Sequence, residues 1–191
     1  HFRVASVAPG HRPAVSRDFA LCTRSSGKNL LVNPDFELGS GASPRKTIPG
    51  WTKIGSLDMG MSDGTWFGEL KPHTGQWLLQ AALNGTSSDA FLYQRVTATS
   101  GKRYAFSAWA ITKALERINN QTVEKYDVWN DRNRLIYVRL GLDPMGGTNP
   151  NAPSVRWTPR FYSHLHYSNP SLSTVSSNTT LTAFIHFKGD G

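Results

Sequence analysis

Trp129 stands among Asp127, Asn130 and Asp131, with Tyr126 just before them, and Trp66 and Phe67 stand side by side between Gly64 and Gly68. Large rings set among polar and turn residues are candidates for stacking on a flat ligand. The axial C–H groups of a pyranose pack against such a ring, and neighbouring polar side chains fix its orientation. Trp109 and Arg139, each on an alternating segment, join this set, so Trp129, Tyr126, Trp66, Phe67, Trp109 and Arg139 are the candidate glycan contacts. Trp51, which follows the turn Pro49-Gly50, reads as a core ring, as do Trp77 and Trp157.

Catalytic patterns are scarce. Glu116, Glu124, Asp127 and Asp131 have the residue types of a glycosidase carboxylate pair, but they share one irregular stretch in which a fixed separation is hard to hold. His164 and His166 fall on one face of a strand, the start of a zinc or copper site with no third ligand at metal spacing. No Gly-x-Ser-x-Gly, His-Glu-x-x-His or phosphate loop is present. The expectation is a chain that is not an enzyme.

The elements that must position these residues are short and β-like. Residues 102–112 alternate, with Tyr104, Phe106, Ala108 and Ala110 on one face. Residues 135–142 repeat the pattern, and 76–83, 91–98, 161–167 and 181–187 complete the set. Turn residues separate them, which predicts an all-β fold, an antiparallel β-sandwich of jelly-roll type. Residues 113–133 read as a long loop between two central strands.

Residues 1–28 lack this texture and read as an extended N-terminal arm, with 29–191 as the sandwich domain. The arm carries Arg3, Arg12, Arg17, Arg24 and Lys28 against Asp18, half of the chain's formal +8. A basic arm suits acidic polysaccharide, nucleic acid or an acidic surface. Its arginines are not interleaved with aromatic rings, so no nucleic-acid partner is expected. Cys22 is the only cysteine, which excludes a disulfide within the chain. No apolar run reaches the ~20 residues of a membrane span. The start at His1, with no signal-peptide core, reads as a processed form or a fragment. Sequons at Asn84, Asn120 and Asn178 are compatible with secretion to the extracellular space or cell surface.

The segment Asn29-Leu-Leu-Val-Asn-Pro-Asp-Phe-Glu37, followed by Pro49-Gly50-Trp51, resembles the opening of carbohydrate-binding modules of families four, nine and twenty-two in the galactose-binding-like superfamily. Leu92-Tyr-Gln-Arg-Val96 and Gly101-Lys-Arg-Tyr-Ala-Phe-Ser-Ala-Trp109 are similar to a strand pair of the same modules. The resemblance covers residues 29–142, more loosely to 187. It implies a jelly roll of two antiparallel sheets that binds polysaccharide or cell-surface glycan without catalysis. It also implies a structural calcium ion, held by Glu37 and a terminal aspartate for which Asp190 is the nearest candidate. The family's last strand is missing after residue 187.

A vacant sheet edge and an extended arm together suggest an alternative: a structural subunit of an extracellular filament or surface layer. There the arm would add as a donor strand to a neighbouring copy, through Phe2, Val4 and Val7, with Cys22 near the contact.

Overall fold

The computed structural model describes residues 19–23, 28–65, 70–82, 88–112, 115–118, 121–124, 136–161 and 166–189. The described strands are β1 (Phe19–Thr23), β2 (Thr52–Ile54), β3 (Asp58–Ser62), β4 (Leu78–Ala82), β5 (Ser88–Thr97), β6 (Arg103–Ala108), β7 (Leu115–Ile118), β8 (Gln121–Glu124), β9 (Ile136–Asp143), β10 (Arg156–Trp157), β11 (Ser171–Val175) and β12 (Thr180–Gly189). The described residues contain no helix. A five-stranded sheet runs β10-β9-β12-β5-β2, a three-stranded sheet runs β1-β6-β11, and β3-β4 and β7-β8 pair separately. Every pairing is antiparallel, so the all-β sandwich is as the alternation predicts.

One core fills the space between the sheets. Tyr104, Phe106 and Ala108 of β6 meet Leu92 and Val96 of β5, Val138, Leu140 and Leu142 of β9, and Leu181, Ala183, Ile185 and Phe187 of β12. Period-two alternation puts these residues on the inner faces. Met59, Met61 and Leu79 of β3 and β4 belong to the same cluster.

The residues that carry the family resemblance lock the opening segment onto this core. Asn33 and Phe36 have positive φ, 50° and 60°, a conformation that costs a side chain free energy. Packing and polar contacts offset that cost. Phe36 is fully buried with its ring 5.8 Å from Trp51. The Asn33 side chain donates to the Pro49 carbonyl at 3.1 Å and accepts the Leu38 N–H at 2.9 Å, and Trp51 Nε1 donates to the Asn33 carbonyl at 3.2 Å. Gln94, on the inner face of β5, accepts the Val32 N–H at 2.6 Å and donates to the carbonyls of Val32 at 3.0 Å and Gly50 at 2.7 Å. Trp51 is the core ring its turn suggests.

Three expectations change. Phe19–Thr23, read as part of the arm, form β1 and pair with β6 of the same chain, Cys22 opposite Ala105. The apolar run Phe19-Ala-Leu-Cys22 is short, and basic residues at Arg17 and Arg24 hide it in the sequence. Residues 113–133, read as loop, contain the β7-β8 pairing. The apolar strand at 181–187 is not beside a vacancy: β12 lies inside its sheet, paired with β5 along one edge and β9 along the other. Of 161–167, Phe161 forms a bridge to Val138, and residues 162–165 lie outside the described set.

Candidate functional site on the outer face of the five-stranded sheet

With the odd residues of β12 in the core, Thr182, Phe184, His186 and Lys188 face away from it. The register sets their neighbours. Phe184 lies between Tyr93 and Gly141, and Gly141 is opposite Trp157. His186 lies between Phe91 and Arg139, and Lys188 between Asp89 and Tyr137. Thr182 lies between Arg95 and Asp143. Phe184 is fully buried and His186 is 2% exposed, although both are on the outer face. Neighbouring rings cover them.

A row of rings crosses this face. Tyr93 to Phe184 is 5.9 Å between centroids, and Phe184 to Trp157 is 6.0 Å. Gly141 makes the row possible: a Cβ there would stand 2.7–2.9 Å from three carbons of the Trp157 ring. Trp157 and Tyr93 remain half-buried, so part of each ring meets solvent. The Arg139 guanidinium lies 4.3 Å from the Trp157 ring centroid, and the Arg160 guanidinium 4.6 Å from that of Tyr137. Both distances are within cation–π range.

His186 anchors the floor. Its ring stacks on Phe91 at 4.1 Å and meets Tyr137 edge-on at 5.4 Å. Arg139 Nε donates to His186 Nδ1 at 2.7 Å, so Nδ1 holds a lone pair and Nε2 carries the proton donated to Asp89. Burial pushes the His186 pKa down to about 4, with Arg139 and Lys188 adding to that effect and Asp89 opposing it. His186 is therefore a neutral spacer that holds Arg139 and Asp89 in place.

A second aromatic group lies elsewhere. Trp109, just past β6, stacks on His73 at 4.6 Å, and His73 meets Tyr167 edge-on at 4.8 Å. The Tyr167 hydroxyl donates to the Lys71 carbonyl at 2.7 Å. Trp109 packs against the core cluster, and the His73 ring lies along one of its faces. The structure thus separates the two described sugar-contact candidates, Arg139 in the five-stranded sheet and Trp109 beyond the other. Trp66, Phe67, Tyr126 and Trp129 lie outside the described residues, as do Asp190, Phe2, Val4 and Val7. Trp77 lies under the Arg45 guanidinium, 3.3 Å from its centroid.

The ring row itself was not apparent from sequence. Trp157, read as core, is on the outer face, and Tyr93 and Phe184 were not singled out. One signal was available: Phe184 falls at the parity opposite Leu181, Ala183, Ile185 and Phe187, an apolar ring where a strand with one solvated face would carry a polar residue.

The Glu37 carboxylate has a structural role. Its Oε1 accepts the N–H groups of Gln76 at 2.8 Å and Trp77 at 3.0 Å, which ties the opening segment to the approach to β4. Oε1 thus serves as a hydrogen-bond acceptor, and the described residues hold no group of three or more His, Cys, Asp or Glu that could hold a metal ion. Glu37→Ala should lower stability by about 2 kcal/mol through the lost charge-assisted bonds, measured by thermal melting. A chelator should leave the wild-type melting temperature unchanged. A chelator effect that vanishes in Glu37→Gln would assign the residue to calcium instead.

No family model matches the sequence, and no curated protein matches it either. Among solved structures, the chain is similar to TmCBM61, a carbohydrate-binding module determined in complex with beta-1,4-galactotriose. The TM-score is 0.53 at 17% identity, over 85% of this chain and 89% of that one. It also matches the enzymatically active domain of bacteriophage CBA120 tailspike protein 4, with a TM-score of 0.48 at 8% identity, over 83% of this chain and 20% of that one. The first likeness shows that the chain has the fold of a carbohydrate-binding module. No helix among the described residues is long and apolar enough to cross a membrane.

Proposed function

We propose that this chain is a non-catalytic, extracellular glycan-binding module whose binding surface is the outer face of the five-stranded sheet. The observation that carries the reading is the ring row Tyr93–Phe184–Trp157, half-open at both ends and bordered by polar side chains. Rings offer the C–H faces of a sugar a flat partner, and Arg139 and Asp89 supply directed donors and acceptors. The likeness in fold to TmCBM61, which was determined with a bound galactan trisaccharide, is in keeping with it. The Trp109 group fits less well, because one face of its ring is covered by His73. An exposed Asn178, within a sequon, accords with an extracellular setting.

Affinity electrophoresis against a polysaccharide panel tests the reading. Trp157→Ala should weaken binding by about tenfold or more, as loss of a central aromatic anchor does. Gly141→Ala should act in the same direction, because the added methyl displaces the ring it supports. Unchanged retardation in both variants would remove the outer face as the site.

A further inference from the structure

The charges around the ring row are mostly positive. Arg95, Arg139 and Lys188 occupy outer-face positions in the register, and Arg160 lies over Tyr137 on the same side. The acidic groups at outer-face positions among the described residues are Asp89 and Asp143. Asp89 is engaged with His186, and Asp143 is buried and accepts the N–H groups of Met145 at 3.0 Å and Gly147 at 2.9 Å. A ligand above the row therefore meets a surplus of cations.

Their placement is regular. Arg95 is two residues from Tyr93 on the same face of β5, and Arg139 stands against Trp157. Each half-open ring thus has an arginine at a neighbouring outer-face position. The two arginines lie two strands and four residues apart, a diagonal of roughly 16 Å across the sheet. Arg139 uses Nε on His186, and its two Nη groups have no partner among the described residues. A planar fork with free N–H groups matches a carboxylate in two parallel hydrogen bonds, which neutral hydroxyls cannot equal.

We propose that the glycan bound here is acidic, a polymer whose sugar rings lie on Trp157 and Tyr93 while uronate carboxylates reach Arg139 and Arg95. This rests on the glycan-binding reading above and adds the class of ligand to it.

The test uses the full chain and three polyuronates, polygalacturonate, cellouronate and alginate, each with its carboxyl-reduced neutral counterpart. Binding is measured by calorimetry at low and high salt. At least one polyuronate should bind ten times or more tightly than its reduced counterpart. Arg95→Gln and Arg139→Gln should each erase most of that preference. Arg103→Gln, an exposed cation on β6 in the other sheet, should leave it within about twofold, since a distant surface charge adds little through screening. Arg95 is exposed, so its variant remains decisive if Arg139→Gln disturbs His186. Equal binding to acidic and reduced polymers, with loss in Trp157→Ala, would overturn the acidic class and leave the glycan reading standing. A preference that persists in Arg95→Gln and falls equally in Arg103→Gln would assign it to general basic charge and overturn the proposal. No binding to any polymer would overturn both.

Discussion

Gln94→Leu is expected to lower folding stability by about 3 kcal/mol while keeping side-chain volume. The glutamine amide bonds the N–H and carbonyl of Val32 and the carbonyl of Gly50, three backbone groups with no strand partner. Leucine leaves all three without that partner, and each lost bond costs about 1 kcal/mol even though Val32 and Gly50 are themselves exposed. In a domain of this size, that corresponds to a fall in melting temperature of roughly 6–12 °C. The opening segment should loosen first, so Asn33 and Trp51 should lose hydrogen-exchange protection ahead of β12. A loss under 1 kcal/mol would mean that water replaces the amide, and the clamp would not be structural.

The second large effect is expected in acid. His186 is neutral when folded, with a pKa pushed down to about 4 from the ordinary 6.5. The unfolded chain therefore takes up a proton first as pH falls. The contribution of this group is fully present above pH 6.5, declines from there to about pH 4, and levels off below. At about 1.4 kcal/mol per pH unit, the full loss is roughly 3–4 kcal/mol. His186→Phe preserves the stack on Phe91 and removes the titration. The difference in stability between wild type and variant should shrink or reverse between pH 7 and pH 4.5, read by chemical denaturation. Parallel pH profiles would show that His186 ionises freely in the fold.

The fold was more legible in the sequence than the site, and the reason is distance along the chain. Asn33, Phe36 and Trp51 act within one local segment, and their types and spacing announce turns and a buried ring. The alternation at 102–112 and 135–142 is equally local, and it became β6 and β9. The ring row depends on register instead. Tyr93, Phe184 and Trp157 meet only because β12 lies between β5 and β9 and Trp157 falls opposite Gly141. β10 has two residues, too few for any periodicity to reveal. Arg139 was singled out from its strand, but its partner His186 is forty-seven residues away. β1 was missed for a related reason: five residues pair with a strand more than eighty positions later, and nothing near them signals it.

The most direct test of the central claim is to locate the bound glycan by NMR. Aromatic and arginine side-chain resonances would be followed during titration with oligosaccharides from the tightest-binding polymer. The largest shifts should fall on Trp157, Tyr93 and Arg139, with Trp109, His73 and Tyr167 unmoved. Shifts concentrated on the Trp109 group, or bound sugar with no change at Trp157, would contradict the assignment of the outer face.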